Sequence, residues 1–297
     1  MQKWGLIMKN IKKKLSKLFA LVLTIVCTFG VLTGCGSDAK NEDTSNGGTQ
    51  KEDTAKERTI KLGLTGVIYE EIWNPIKEQL AEEGINLEIV QFSDFALPNS
   101  ALDSGEIDIN AFQHHAYFNN DVEKNGYDIK AIADTFVIAM NLYSDKISNV
   151  SELKKGDVVA IPDDASNGGR ALKLLESAGI ISIAESAGAN PTISDIEKYN
   201  VEITIQEIAA ANAPSIIPDV TAAVVNGNYA LDYGIDPKTA IYEETEYSDD
   251  SYFCLIAVRS NEADNSDYKR IVELFQSEQT KEIFKDTFNG FFVPAWE

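Results

Sequence analysis

Residues 59–92 run strand, helix, strand, and that order leaves few folds open. Thr59-Ile60-Lys61-Leu62-Gly63-Leu64 alternates polar and apolar side chains as a strand does, and Gly66 begins a turn. Tyr69 to Glu83 then carries Ile72, Ile76 and Leu80 at helical spacing, with Gly84 to stop it, and Asn86 to Phe92 reads as the next strand. A βαβ unit of this length implies a parallel sheet with helices packed on it. The pattern continues with a helix over Asn99 to Ser104, a short strand from Ile107, a helix to Asn125, and strands over Ile129 to Ala133 and Phe136 to Tyr143. Val158 to Pro162 opens what reads as a second α/β unit, with further strands at Val201 to Ile205 and Val220 to Val225. Phe253 to Val258 as a strand and Tyr268 to Phe284 as one amphipathic helix read as a return to the first unit. The expected division is residues 58–142 for the first lobe, 143–249 for the second, and 250–297 for the return segment.

The first 34 residues read as an export signal. Six lysines between Lys3 and Lys17 precede an apolar run from Leu18 to Leu32, too short for a confident membrane span. The run ends Leu32-Thr33-Gly34-Cys35, which resembles the lipobox of bacterial lipoproteins and implies a Cys35 that is lipidated and becomes the mature N-terminus. An uncleaved anchor helix is the competing reading. Residues 36–57 contain two alanines and no larger apolar side chain, so they bury too little surface to offset chain entropy. They read as a disordered tether with a reach of roughly 25 Å.

The whole chain carries a net charge of −21; losing six lysines with the leader leaves 20 basic against 47 acidic side chains, about −27. A polyanion of this strength argues against nucleic acid and against a basic membrane-docking face. Cys27 departs with the leader and Cys35 is acylated, so Cys254 has no partner and no disulfide is expected.

Three polar stretches stand at the carboxyl ends of expected strands, where open α/β sheets bind ligands. The first is Phe112-Gln113-His114-His115-Ala116-Tyr117, which holds both histidines of the chain. Its aromatics suit a core as well as a small-molecule pocket. The second, Asp163-Asp164-Ala165-Ser166-Asn167-Gly168-Gly169-Arg170, is expected to deliver Arg170 onto the first turn of a helix, where unpaired N–H groups and a guanidinium together suit a carboxylate. Asn167 is placed to cap that helix or to touch the same ligand. An arginine in a first turn opposes the helix dipole, and Asp163 or Asp164 is the structural partner open to it. The third, Asn226-Gly227-Asn228-Tyr229-Ala230, fits a turn or a site.

Phe112-Gln113-His114 with Tyr117, Asn167-Gly168-Gly169-Arg170-Ala171-Leu172, and Asn226-Gly227-Asn228-Tyr229-Ala230, in this order behind a lipobox, resemble the methionine-binding lipoprotein family, the NLPA lipoproteins. The resemblance extends over nearly all of 59–297 and includes Asp94-Phe95, Pro98-Asn99 and Val293-Pro294-Ala295. It implies an α/β, type II periplasmic-binding-protein fold: two α/β lobes with a ligand cleft between them. It also implies a monomeric, lipid-anchored solute-binding protein on the extracytoplasmic face of the cell membrane, delivering L-methionine to the permease and ATPase of an ABC importer. Carried over by position, Arg170 holds the ligand carboxylate with Asn167 beside it, Asn228 fixes the backbone polar groups, and Phe95, Phe112, His114 and Tyr117 enclose the side chain. Tyr69, Asn141 and Asn212 are secondary candidates.

The sequence departs from the family where cleft or hinge is expected. Val67-Ile68-Tyr69 replaces Gly-Pro-His, Ile138-Ala139-Met140-Asn141 replaces Glu-Pro-Met-Gly, Phe95 replaces a tyrosine, and Asn212-Ala213-Pro214-Ser215 replaces Gln-Leu-Pro-Arg. Another small amino acid, a methionine derivative or a short peptide is therefore the alternative ligand. Readings of another class are a surface interaction protein and a metal-binding lipoprotein using His114 or His115, against which a cleft arginine argues. No cofactor, metal or catalytic residue is expected: no Gly-x-Ser-x-Gly occurs and neither histidine has a cysteine in local reach. Cys35→Ala is expected to release the protein from the membrane fraction of its host; retention there would overturn the lipid anchor.

Overall fold

The computed structural model describes residues 58–247 and 249–296. The expected leader, Cys35 and the tether lie outside the described residues. The chain opens with β1 (Arg58–Thr65), α1 (Glu70–Glu82), β2 (Ile85–Phe92), α2 (Pro98–Asp103), β3 (Ile109–Asn110), α3 (His115–Asn125), β4 (Ile129–Asp134) and β5 (Phe136–Ile138). It continues through β6 (Met140–Tyr143), β7 (Val158–Pro162), α4 (Ala165–Ser177), β8 (Ile181–Ile183), β9 (Ile196–Tyr199), β10 (Thr204–Ile208), α5 (Ala213–Ile216), β11 (Ala222–Asn226) and α6 (Gly227–Tyr233). It closes with β12 (Leu255–Arg259), α7 (Ser266–Phe275), α8 (Glu278–Asp286) and β13 (Phe292–Pro294).

Two sheets organise these elements. The first has the order β2-β1-β3-β12-β4, with β1 parallel to β2 and β3, and β12 antiparallel to both of its neighbours. The second has the order β10-β7-β11-β6, parallel except for β6. In each, strands alternate with crossover helices, which is why apolar side chains run nearly continuously along β7 and β11. Leu62, Leu64 and Leu87 of the first sheet pack on Ile72, Trp73, Ile76 and Leu80 of α1 and on Phe275 and Phe284 of α7 and α8. Val159, Ile161, Ala222 and Val224 of the second pack on Ala171, Leu172, Leu174 and Leu175 of α4.

The expected strand from Phe136 to Tyr143 is two strands in different sheets. β5 pairs with β13 in a two-stranded sheet, and β6 pairs with β11, so the run divides at Ala139. Apolar side chains run unbroken from Phe136 to Met140, so the pattern hides the passage. The return is marked by two bridges, Tyr242 to Leu142 and Cys254 to His114. Gly227 permits the close packing at this junction: a Cβ there would stand 2.5 Å from Ile138 Cγ1 and 2.7 Å from the carbonyl oxygen of Ala139.

Other boundaries shift for local reasons. The expected helix over Tyr268 to Phe284 breaks into α7 and α8 because Ser277 caps the second, its side chain accepting from the Thr280 N–H. The strand expected at Val201 begins at Thr204. Asn226-Gly227 is the junction of β11 with α6 instead of a turn. Trp73 is buried against Phe275, with ring centroids 4.9 Å apart. Trp73→Ala is expected to lower unfolding free energy by about 3–5 kcal/mol, measured by urea denaturation; a loss under 1 kcal/mol would mean that this core is not the one described.

Candidate functional site

Between the two sheets lies a cavity lined from both sides. Phe95, Phe112, His114 and Tyr117 reach it from loops and the helix start that follow β2 and β3, and Tyr69 from the turn after β1. Asn167 and Arg170 of α4, with Asn226, Gly227 and Asn228 at the β11–α6 junction, reach it from the other side. Ile138 and Cys254 line it from the passages, and Gln113 completes the wall. All seven primary candidates and Tyr69 therefore meet at one place.

Asn141 and Asn212 do not. Asn141 is buried, but its Oδ1 accepts from the Glu244 N–H at 3.0 Å and its Nδ2 faces Tyr143. It lines a separate cavity together with Glu244, Tyr247 and Phe288. Asn212 is exposed at the end of a short 3-10 turn before α5.

The aromatic side is one cluster. Phe95 lies 5.9 Å from Phe112, 5.9 Å from Tyr117 and 4.8 Å from Tyr229, measured between ring centroids. The Tyr117 hydroxyl donates to the Phe95 carbonyl at 2.9 Å, fixing the loop that carries Phe95. Such a wall is apolar and polarisable, suited to a thioether or an aliphatic chain.

The opposite side is polar and closely hydrogen-bonded. Asp164, not Asn167, caps α4, accepting from the Asn167 N–H at 2.9 Å and from the Asn167 amide at 3.0 and 3.1 Å. The helix thus starts at Ala165, five residues before Arg170, and the arginine stands a turn deeper than expected, away from the free N–H groups. Asn167 Oδ1, aimed by that cap, accepts from Asn226 at 2.8 Å and faces His114 Nε2 at 3.2 Å. His114 caps α3, with Nδ1 accepting from the Tyr117 N–H, so the neutral ring carries its proton on Nε2 and donates to Asn167. Burial, and then the charge of Arg170, hold the His114 pKa down to about 3.

Arg170 is buried, and its partner is neither Asp163 nor Asp164. Nε donates to Glu244 Oε1 at 2.7 Å, Nη2 donates to Oε2 of the same carboxylate and, at 2.9 Å, to the Ile138 carbonyl. Tyr252 stacks on the guanidinium at 4.4 Å. The guanidinium edge formed by Nε and Nη2 is thus already engaged. Asn228 is likewise committed, donating at 3.0 Å to the Thr65 carbonyl at the end of β1. Beside it Asp232 accepts the Val67 and Ile68 N–H groups at 3.1 and 2.8 Å, so α6 is stitched to the first unit.

Asn226 was not among the candidates, yet its Oδ1 is buried and has no hydrogen-bond partner among the described residues. A buried acceptor costs free energy unless something donates to it. Its position as the last residue of β11 was the available signal, since ligands meet α/β sheets there. Glu244 and Cys254 had no such signal. The Cys254 thiol is buried in the wall and pushed up to about 12, hence neutral. Among the described residues no three His, Cys, Asp or Glu side chains are placed to hold a metal ion, and His115 is paired with Asp134 at 2.6 Å.

Two α/β units enclosing a site at their strand ends define the class of bilobal solute-binding proteins. The model of the NlpA lipoprotein family matches residues 60–296. The chain belongs to that family. It is 33% identical over 285 residues to the D-methionine-binding lipoprotein MetQ of Escherichia coli O157:H7, covering 94% of this chain and 98% of that one. Among solved structures it is similar to a nutrient binding protein from Burkholderia cenocepacia bound to methionine, with a TM-score of 0.76 and 37% identity over 80% of this chain and 100% of that one. The substrate binding protein of a methionine transporter from Streptococcus pneumoniae gives a TM-score of 0.76 and 30% identity over 80% of this chain and 96% of that one. No helix among the described residues is long and apolar enough to cross a membrane.

The depressed His114 pKa has a signed consequence. The unfolded imidazole takes up a proton near pH 6.5 while the folded one stays neutral to about 3. Stability is therefore fully present above 6.5 and falls as pH drops towards 3, by up to about 1.4 kcal/mol per unit from this group. An NMR titration is expected to find the His114 ring neutral at pH 5, and His114→Gln to flatten the acid limb of stability. A ring titrating near 6.5 would contradict this.

Proposed function

We propose that this protein is a lipid-anchored, extracytoplasmic solute-binding protein that captures a free amino acid, L-methionine foremost, and hands it to the permease and ATPase of an ABC importer. The reading rests on the pairing of an aromatic wall with a polar wall in which Asn226 Oδ1 has no donor among the described residues. An α-ammonium satisfies that acceptor, the uncommitted part of Arg170 takes the carboxylate, and Phe95, Phe112 and Tyr117 enclose the side chain. Asn167 orients Asn226, and Asn228 acts at one remove by tying α6 to β1. The two sheets are proposed to be the cores of two lobes that close on the ligand about the passages at Ala139 and between Tyr242 and Cys254. The names of the relatives support methionine, and Cys35 with its tether supports lipid anchoring.

Calorimetry with L-methionine, combined with mass spectrometry of small molecules released on denaturation, tests the reading. Methionine is expected to bind and to reduce the radius of gyration in small-angle scattering. Asn226→Ala is expected to weaken binding roughly 10-fold or more, because a hydrogen bond to a charged group contributes about 1.5–3 kcal/mol and 1.4 kcal/mol is one decade. Asn226 is a cleaner probe than Arg170, whose removal strands Glu244 in the interior. Binding of a different amino acid would move the specificity while keeping the class; no binding of any amino acid would overturn the reading.

A further inference from the structure

Among the described residues that line the cavity, Arg170 alone carries a formal charge, since His114 and Cys254 are neutral there. It is already balanced. The Glu244 carboxylate engages it through both oxygens, and the two side chains are only 3% and 9% exposed. Glu244 is itself held, with Oε2 accepting the Met140 N–H at 2.8 Å and its own N–H donating to Asn141. The nearby charged groups outside the lining each have hydrogen-bond partners in the protein. Asp164 serves the α4 cap, Asp232 the Val67 and Ile68 amides, Asp134 pairs with His115, and Lys173 donates to the Ala189 carbonyl.

We infer that Glu244 is a specificity-determining residue: by balancing the charge of Arg170 in the cavity wall it restricts the cavity to ligands of zero net charge that carry both a carboxylate and an ammonium. A bare guanidinium in a closed, water-poor cavity favours any carboxylate, with or without an amino group. A guanidinium already matched by Glu244 gives a monoanion no net countercharge, and Coulomb energies in a low-dielectric site make one unbalanced charge expensive. A zwitterion brings no net charge. Its carboxylate meets the guanidinium and its ammonium meets the Asn226 oxygen, so neither wall is left unmatched. Glu244 stands behind Arg170 in the segment that returns to the first sheet, so it acts through the arginine. It is a positioning residue as well as a counter-ion. The inference rests on the amino-acid reading of the cavity and adds to it the residue that sets the charge class.

The test compares Glu244→Gln with wild type by calorimetry, using each of the common neutral amino acids, its des-amino acid as the monoanion, and its amide as the monocation. Glutamine is isosteric and keeps an acceptor for Met140. Wild type is expected to bind one zwitterion at least 10-fold more tightly than either singly charged analogue. Glu244→Gln is expected to shift the ratio of des-amino acid to zwitterion affinity at least 10-fold towards the anion, while the amide binds more weakly still. Should Glu244→Gln fail to fold, the double variant Arg170→Gln, Glu244→Gln removes both charges together and is expected to keep rejecting both singly charged analogues. A zwitterion that binds wild type with the ratio unchanged in a folded Glu244→Gln protein, or a wild type that binds the des-amino acid as tightly as the zwitterion, overturns the inference and leaves the amino-acid reading standing. If another amino acid replaces methionine but the ratio shifts, the methionine assignment fails and the inference holds. If no amino acid binds, both fall.

Discussion

The buried ion pair of Arg170 and Glu244 is the contact on which the centre of the molecule depends. Two charges removed from water are tolerated only when their remaining donors and acceptors are also satisfied, and here they are: Ile138 accepts from the arginine, Met140 donates to the glutamate, and Tyr252 covers the guanidinium. Arg170 belongs to α4, Ile138 and Met140 flank the outward passage, and Glu244 lies on the return. One pair therefore ties a crossover helix of the second unit to both segments that join it to the first. Removing either partner alone strands a buried charge, at a cost of about 3–5 kcal/mol.

Close packing at the same junction makes the arrangement specific. Gly227 lets α6 start against Ile138 and Ala139, which puts Asn226 and Asn228 on either side of the contact. Asn228 and Asp232 then bond to Thr65, Val67 and Ile68 of the first unit. The first loop, where the sequence departs from its family, is thus held through backbone groups. Only backbone amides and a carbonyl are used there, so the identity of Val67 and Ile68 is free to vary while the contact persists.

The alternation of strands and helices was legible because burial on both faces writes continuous apolar runs into strands and 3.6-residue spacing into helices. The three polar stretches were legible because they interrupt that pattern at strand ends. What could not be read is set by distance in sequence. Glu244 sits in Glu243-Glu244-Thr245-Glu246, a run that looks like solvated surface, and only the fold brings Arg170 to it across 74 residues. Asn226 and Asn228 flank one glycine, so a motif cannot say which amide is spent on Thr65 and which is left open; the strand end decides it. Arg170 lies a turn deeper than expected because Asp164, not Asn167, caps the helix. The passage at Ala139 is invisible because the apolar pattern is the same on both sides of it.

On the proposed reading, recognition divides between the two units. The aromatic groups that meet a ligand's side chain stand after β2 and β3, while the groups that meet its ammonium and carboxylate stand on β11 and α4. Neither half suffices. An apolar wall alone holds a side chain without orienting it, and an Asn oxygen with a neutralised arginine exposed to water competes poorly with solvent for a zwitterion. When the halves meet, water is excluded from both, and hydrogen bonds to charged groups gain strength as the local dielectric falls. Most of the affinity thus arises in the closed form, so residues that stitch the units together, Asn228 and Asp232, act on affinity through the closing equilibrium. That separates two kinds of departure from the family: those at Tyr69 and Phe95 stand in the cavity wall, whereas those at Val67 and Ile68 leave the backbone contacts with Asp232 in place.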